Sequence, residues 1–348
     1  MPPRTFWCAV VRVACLLFFL LSLVGCSSPA PARPVAAAAP ASAPVLLWQD
    51  GDIFHLVGRL IGSSRRRVLV EMYELGRSEI VEALGAARAR GVDVRVIVDP
   101  TVKVSRQFAA VLDSLHVAAR EYPVDDKRHQ IDHVKLLVAD GEAAIGGMNW
   151  GRHSDRNHDY VLETRVVAEV ERAGRVFEQD WALAGGHPAP LPLAVGLVAQ
   201  TSPGSEIRTM LESALRRAMH RVMAEIYTLT DPEVIAELVI AHRRGVVVRV
   251  ILDPNQVYNL HAYAVLRAGA VEVRWYPVPR GALLHAKIGL FDGLLVLGSA
   301  NWTLSGLGVN HELDVETDDV GAAAAYAIRF EADWSRSRPS GAFGTTSP

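Results

Sequence analysis

Cysteine is almost missing from this chain of 348 residues; the only three are Cys8, Cys15 and Cys26, all near the N-terminus. That excludes a disulfide framework for the body of the protein, and any zinc site built on clustered thiolates. A surplus of charge is missing as well. The chain carries 36 Lys and Arg against 38 Asp and Glu, a formal net charge of -2, whereas a general nucleic-acid binder is usually strongly basic. Beyond Val24 there is no uninterrupted apolar run of membrane-spanning length. What is present is a hydrophobic fraction of 50% in a chain long enough for two domains with real cores.

The N-terminus reads as an address. Arg4 and Arg12 precede a mostly apolar run, Val13 to Val24, that is too short to span a bilayer comfortably. It ends Leu23-Val24-Gly25-Cys26, with Ser27-Ser28 following, and resembles the bacterial lipobox. The resemblance implies a signal peptide over 1–25, lipidation of Cys26, and an exported lipoprotein anchored in the cell envelope. The mature chain would then keep only Cys26 and would carry no spare thiol in an oxidising compartment. Residues 26–44, rich in Pro, Ala and Ser, are expected to form an extended tether that holds the body off the membrane.

After the tether the chain repeats itself. Arg90 to Pro100 and Arg244 to Pro254 differ at only two positions, and Glu71-Met-Tyr73 answers Glu225-Ile-Tyr227 at the same offset. A period this long means two whole domains and not a solenoid. Each copy reads alike: a β-rich run (Val68 to Tyr73; Arg221 to Tyr227), a helix (Ser78 to Arg90; Pro232 to Arg244) and an apolar strand ended by Asp-Pro (Val92 to Val98; Val246 to Leu252). A second helix follows (Ser105 to Leu115; Leu260 to Arg267), then a hairpin turning at Asp140-Gly141 or Asp292-Gly293. Alternating helices and strands with a terminal hairpin predict an α/β fold with mixed sheets. The boundaries are placed at 45–187 for the first domain, 188–200 for a linker, 201–338 for the second domain and 339–348 for a tail.

The chemistry-bearing residues lie in and around those hairpins. His133 and Lys135, then Asn149, are matched by His285 and Lys287, then Asn301. On strands of period two, each His shares a face with its Lys. A His beside a Lys and an Asn supplies a nucleophile or acid plus donors for an anionic phosphoryl group. Exact doubling argues against incidental surface residues. Asp140 and Asp292 sit at Asp-Gly turns, which explains them structurally. Trp150 and Trp302 are expected in the core, and Arg65-Arg66-Arg67 at a solvated element end. His129, His153, His158 and His311 fall in polar segments without ligand spacing, so no metal and no cofactor is expected.

Together these residues resemble the phospholipase D superfamily, with its His-x-Lys, a following Asp and a Gly-[Gly/Ser]-x-Asn segment, present twice between Val45 and Arg338. The resemblance implies two tandem, pseudo-two-fold-related α/β domains with one active site between them. It implies that His133 attacks phosphorus to give a phosphohistidine and that His285 is the acid and base. Lys135, Lys287, Asn149, Asn301 and Ser299 would donate to the nonbridging oxygens. It also implies a carboxylate behind each ring. Asp159 is assigned to His133 and Glu312 to His285, each within its own half. The anchor and near-zero charge favour a phospholipid substrate and a phospholipase D-type hydrolase, working as a monomer. Its alternatives are a cardiolipin synthase-like transphosphatidylase, an exported nuclease, and a non-catalytic phosphate-binding lipoprotein.

Overall fold

The computed structural model describes residues 44–187, 198–201 and 204–339. The expected signal peptide, Cys26, nearly all of the tether, most of the linker and nearly all of the tail lie outside the described residues.

The first half runs β1 (Val45–Gln49), α1 (Asp52–Ser63), β2 (Arg67–Met72), α2 (Ser78–Ala89), β3 (Asp93–Val98), α3 (Lys103–Ser114) and β4 (Ala118–Glu121). It continues with β5 (Lys135–Ala139), β6 (Glu142–Gly146), β7 (Tyr160–Thr164) and α4 (Val167–Ala184). The second half runs β8 (Val198–Gln200), α5 (Glu206–Arg217), β9 (Arg221–Ile226), α6 (Pro232–Arg243), β10 (Val247–Leu252), α7 (Asn259–Ala268) and β11 (Glu272–Trp275). It closes with β12 (Lys287–Phe291), β13 (Leu294–Gly298), α8 (Leu304–Gly308), β14 (Leu313–Thr317) and α9 (Val320–Arg336).

Each half builds a seven-stranded mixed sheet, in the orders β1-β7-β6-β5-β2-β3-β4 and β8-β14-β13-β12-β9-β10-β11. The two orders correspond strand for strand. In each, a parallel trio (β2, β3, β4; β9, β10, β11) adjoins an antiparallel hairpin. The inner trio strands β2, β3, β9 and β10 are mostly apolar, as expected for strands covered on both faces, whereas the edge strands β4 and β11 carry Arg and Glu. Residues 198–200, assigned from sequence to the linker, are instead β8, the edge strand paired antiparallel with β14. A three-residue strand is too short to show a period in sequence.

Three cores result. Outer cores form under α1, α2 and α3 on one side and under α5, α6 and α7 on the other. The central core lies between the sheets and mixes both halves: Val170 and Phe177 of α4 and Tyr326 and Phe330 of α9 pack with Leu136 of β5 and Ile288 of β12. Buried residues recur along both helices at turn spacing, and that face also carries Asp180 in α4 and Asp333 in α9. These two acids matter at the site.

The hairpin turns have the chemistry expected of Asp-Gly. Asp140 and Asp292 take positive φ of 52° and 55°. The Asp140 carboxylate accepts the amides of Arg65, Arg66 and Arg67 at 2.9–3.0 Å, and Asp292 accepts those of Met219, His220 and Arg221. Both acids thereby tie the hairpin to the start of the neighbouring parallel strand, and those amide bonds hold both carboxyls below the ordinary range even though burial raises them.

Candidate active site

His133 and His285 are buried to 5% exposure each. Both precede their strands, β5 and β12, which begin at Lys135 and Lys287 and not at the histidines as the sequence pattern predicted. Their backbones are held by the opposite half. The His133 amide donates to the His311 carbonyl at 2.8 Å, and the His311 amide donates to the Ile131 carbonyl at 2.9 Å. The mirror pair joins the His285 amide to the His158 carbonyl and the His158 amide to the Leu283 carbonyl, both at 2.8 Å. Asp99 and Asp253, the acids of the repeated Asp-Pro, fix the same segments by accepting the amides of Asp132 and Leu284, each at 2.6 Å.

This pairing corrects the carboxylate assignment. Glu312 stands behind His133, with its two oxygens 2.9 and 3.1 Å from Nδ1. Asp159 stands behind His285, 2.7 Å from Nδ1. Each acid serves the histidine of the other half, because residues 310–312 run alongside 131–133 and residues 157–159 alongside 283–285. A local loop could not make that exchange.

Ser299 also differs from expectation. Its hydroxyl donates to Glu312 Oε2 at 2.6 Å and accepts the Leu313 amide at 2.9 Å. A serine has one O–H to give, so Ser299 steadies Glu312 and does not point a donor at substrate. Asn310 adds a bond to Glu312 Oε1 at 3.1 Å. The first copy has Gly147 at the corresponding place, where a Cβ would fall on the Asp159 carboxylate. The shorter acid and the missing side chain are one packing solution.

The two lysines converge with the rings. Lys135 Nζ donates to the His133 carbonyl at 2.5 Å and lies over Tyr73, 5.1 Å from its centroid. Lys287 donates to the His285 carbonyl and lies over Tyr227 at the same 5.1 Å. Lys287 Nζ is also 2.9 Å from His285 Nδ1, but that nitrogen gives its proton to Asp159, so the contact is close packing. Tyr73 and Tyr227 in turn rest against His133 and His285, with ring centroids 4.8 and 4.7 Å apart. Asn149 donates to Glu74 at 3.3 Å. Beside this pair opens a cleft of about 550 Å³ lined by Glu74, Arg152, His153, Asn157, Asn255 and Leu283.

Electrostatics couple the four central groups. Burial lowers Lys135 to about 7 and Lys287 to about 8; nearby carboxylates counter this, and Lys287 further depresses Lys135. Burial and Lys287 lower His285 to about 3, and burial also lowers His133. Burial alone would raise Glu312, but His133, Lys135 and Ser299 together hold it below the usual carboxylate range. Both rings are therefore neutral, with Nδ1–H donated to a carboxylate and the lone pair left on Nε2.

His158 and His311, expected in polar loops, are instead the centres of buried ionic clusters. His311 Nε2 is 2.9 Å from Asp180 and 3.3 Å from Glu71, with the ring stacked on Tyr122. His158 bonds Asp50 at 2.6 Å, Glu225 at 3.1 Å and Asp333 at 3.2 Å, stacked on Tyr276. Each joins a histidine of one half to a glutamate and a helix aspartate of the other, and these are the places among the described residues where His and carboxylate donors gather closely enough for a metal. In the second, Arg329 and Arg336 already neutralise Asp333. Both histidines are pushed well above their ordinary value by these carboxylates, against the opposing effect of burial. They lock the halves beside the His133 and His285 segments. Tyr73, Tyr227, Asp99, Asp253, Glu71 and Glu225 join the site only in the fold, though the sequence repeat marks all six.

A family model described as "Cardiolipin synthase, PLD-like domain" matches residues 57–181 and again 211–334. The chain belongs to the phospholipase D superfamily. Among curated members of that superfamily, it is 34% identical over 116 residues to the mitochondrial cardiolipin hydrolase of Xenopus laevis, covering 33% of this chain and 54% of that one. It is 29% identical over 235 residues to cardiolipin synthase A of Pseudomonas putida, covering 60% of this chain and 48% of the synthase. The chain thus spans about half the length of these two relatives. Cardiolipin synthase A of Pseudomonas syringae pv. syringae is 26% identical over 337 residues, 84% of this chain and 68% of that protein. In three dimensions the phosphatidylserine synthase of Haemophilus influenzae superposes with a TM-score of 0.64 at 12% identity, over 84% of this chain and 86% of that one. Likeness at that identity speaks for the phospholipase D fold alone. The expected pair of α/β domains is what the structure contains, and no helix among the described residues is long and apolar enough to cross a membrane.

Proposed function

We propose that this protein is a phospholipase D-type phosphodiesterase acting on glycerophospholipids through a phosphohistidine. The observation that carries the reading is the pair of neutral, buried histidines, each fixed through Nδ1 by a carboxylate of the other half and flanked by a lysine. Nε2 of His133 attacks phosphorus in line, and the bond to the leaving alcohol breaks. With substrate bound, His285 takes up a proton from solvent on Nε2 and passes it to the leaving alcohol; it then takes one from the incoming water, whose attack on phosphorus breaks the P–N bond and releases phosphatidic acid. The anionic phosphodiester offsets Lys287 and so supports the imidazolium that His285 needs. Lys135, Lys287, Asn149 and Asn301 receive the nonbridging oxygens.

The names of the relatives favour phospholipid over nucleic acid, as do the near-neutral charge and the lipobox-like leader. Lipidation at Cys26, attachment to the cell envelope and a monomeric state belong to the same proposal. A second reading, transfer of the phosphatidyl group to an alcohol, is favoured by the match to the Pseudomonas syringae synthase over 84% of this chain. Mass spectrometry of products from mixed phospholipids and nucleic acid, with and without glycerol and in excess EDTA, tests both. Phosphatidic acid is expected. Glycerol-dependent transfer products in its place would establish the second reading, and nucleotides alone would overturn the lipid assignment.

The lysines make the reaction sensitive to alkali. Their folded values of about 7 and 8 mean that their positive charge is present below pH 7 and is lost as pH rises through 7 to 8. Burial lowers both histidines in the free site, His285 to about 3, so neither ring titrates on the alkaline side. For a soluble phosphodiester, kcat/KM should therefore fall on the alkaline side from about pH 7 to 8, and not near the unperturbed lysine value of about 10.4. A profile flat to pH 9 would contradict the lysine assignment.

A further inference from the structure

The two sides of the active-site rim differ. On the side built by the second half, apolar side chains stand outward: Val257 is 58% exposed, Tyr258 68% and Leu304 62%. Single exposed apolar residues are ordinary; the arrangement of these is not. Val257 and Tyr258 form the turn ahead of α7, next to Asn255 of the cleft. That turn is held rigidly from below by buried Asn259, which accepts the Leu229 amide at 2.8 Å and donates to the Tyr227 carbonyl at 2.9 Å. Tyr227 is the ring against His285. Leu304 opens α8 on the other flank of the same loop, since the Trp302 carbonyl accepts the amides of Thr230 and Asp231 at 3.0 Å.

On the side built by the first half, exposed cations stand among acids. Arg152 and His153 line the cleft, and exposed Arg156 follows in the same turn. Exposed Lys127 and Arg128 stand across from α8, with Arg128 donating to the Gly308 carbonyl at 3.3 Å. Asp155 is the acid among the first group, and it is paired with Arg77 at 3.2 Å. Asp125 and Asp126 precede the second group, and the Asp125 carboxylate accepts the Lys127 amide. Exposed Asp125 and Asp126 offset Lys127 and Arg128, and Glu74 lines the same cleft, so the cations free to meet an anionic surface on this side are chiefly Arg152 and Arg156.

We propose that this rim docks on an anionic phospholipid bilayer, with Val257, Tyr258 and Leu304 entering the interface and the first-half cations meeting the headgroups. The inference rests on the phospholipid reading above for its choice of partner. The chemistry is that of peripheral membrane binding: apolar side chains supply buried area, an aromatic with a polar tip suits the headgroup level, and cations add salt-sensitive attraction.

Hydrogen exchange on the full chain, with and without vesicles of phosphatidylcholine and phosphatidylglycerol, tests the docking independently of turnover. Amides at 255–260 and 303–308 should slow with anionic vesicles and much less with phosphatidylcholine alone or at high salt. The triple variant V257D/Y258D/L304D should lose that protection. Its turnover of vesicle phospholipid should fall by roughly tenfold or more, while hydrolysis of soluble bis(4-nitrophenyl) phosphate stays unchanged. No slowing at these segments overturns the docking whatever the enzyme hydrolyses. Slowing that depends on protein concentration without vesicles assigns the rim to a second copy and also overturns it. Protection by vesicles with no phospholipid turnover leaves the docking standing and sinks the substrate reading instead.

Discussion

His133→Asn and His285→Asn will each lower kcat on a soluble phosphodiester by roughly 10³–10⁵-fold, and the double variant will be little worse than either. The expectation follows from one site with two rings in different roles. Without the attacking ring no covalent intermediate forms; without its partner, a poor leaving group cannot depart as an alkoxide. Both segments are fixed across the interface by backbone bonds at 2.8 Å, and the asparagine amide can still donate to Glu312 or Asp159, so an unchanged melting temperature separates lost chemistry from lost fold. An activated leaving group such as 4-nitrophenolate should let His285→Asn accumulate phosphoenzyme, with the label on the peptide that contains His133. Label on the His285 peptide of the opposite variant would reverse the roles. Near-normal turnover by either single variant would sink the shared site.

Glu312→Gln should lower activity by about 10²–10⁴-fold, acting through His133 alone, and Asp159→Asn should do the same through His285. A glutamine can present its NH₂ to Nδ1, which favours the wrong tautomer and withdraws the charge that supports an imidazolium. Glu312 contacts His133 with both oxygens and is itself held by Ser299 and Asn310, so a reoriented amide finds little room to adapt. The readout is the low-field Nδ1–H resonance of each catalytic ring, assigned from the two His→Asn variants. Glu312→Gln should shift or abolish the His133 signal and leave that of His285, and Asp159→Asn should do the opposite. If Glu312→Gln disturbed His285 instead, each acid would serve its own half and the crossed arrangement would be wrong.

The crossed acids show where sequence reasoning stops. Asp159 follows His133 by 26 residues and Glu312 follows His285 by 27, so proximity in sequence assigns each acid to its own half. The reverse is true because two short segments pair with segments from the other domain. No periodicity reports such a pairing. The fate of Ser299 was hidden for the same reason: its motif position marks a polar group near phosphate, but whether its one proton goes to substrate or to Glu312 depends on what packs beside it.

His158 and His311 make the point in terms of burial. In sequence they sit among polar residues between strands, which reads as solvated loop. In the fold those loops cross the interface, and a histidine there is surrounded by Glu71 and Asp180 or by Glu225 and Asp333. The repeat did carry a signal. Glu71 and Glu225 recur at matched positions on strands otherwise almost wholly apolar, and an acid kept twice on a buried strand calls for a buried partner.

By itself the sequence determined the parts whose causes are local. Apolar spacing and glycine stops set most of the helices, Asp-Gly set the hairpins, and the repeat with its two His-x-Lys segments marked two like halves and the histidines and lysines that the fold brings together. Only the tertiary structure decided which acid serves which histidine, that Ser299 supports Glu312, and that 198–200 is an edge strand. Those depend on contacts between segments far apart in the chain, and their energy exists only once both sheets have closed around the central core.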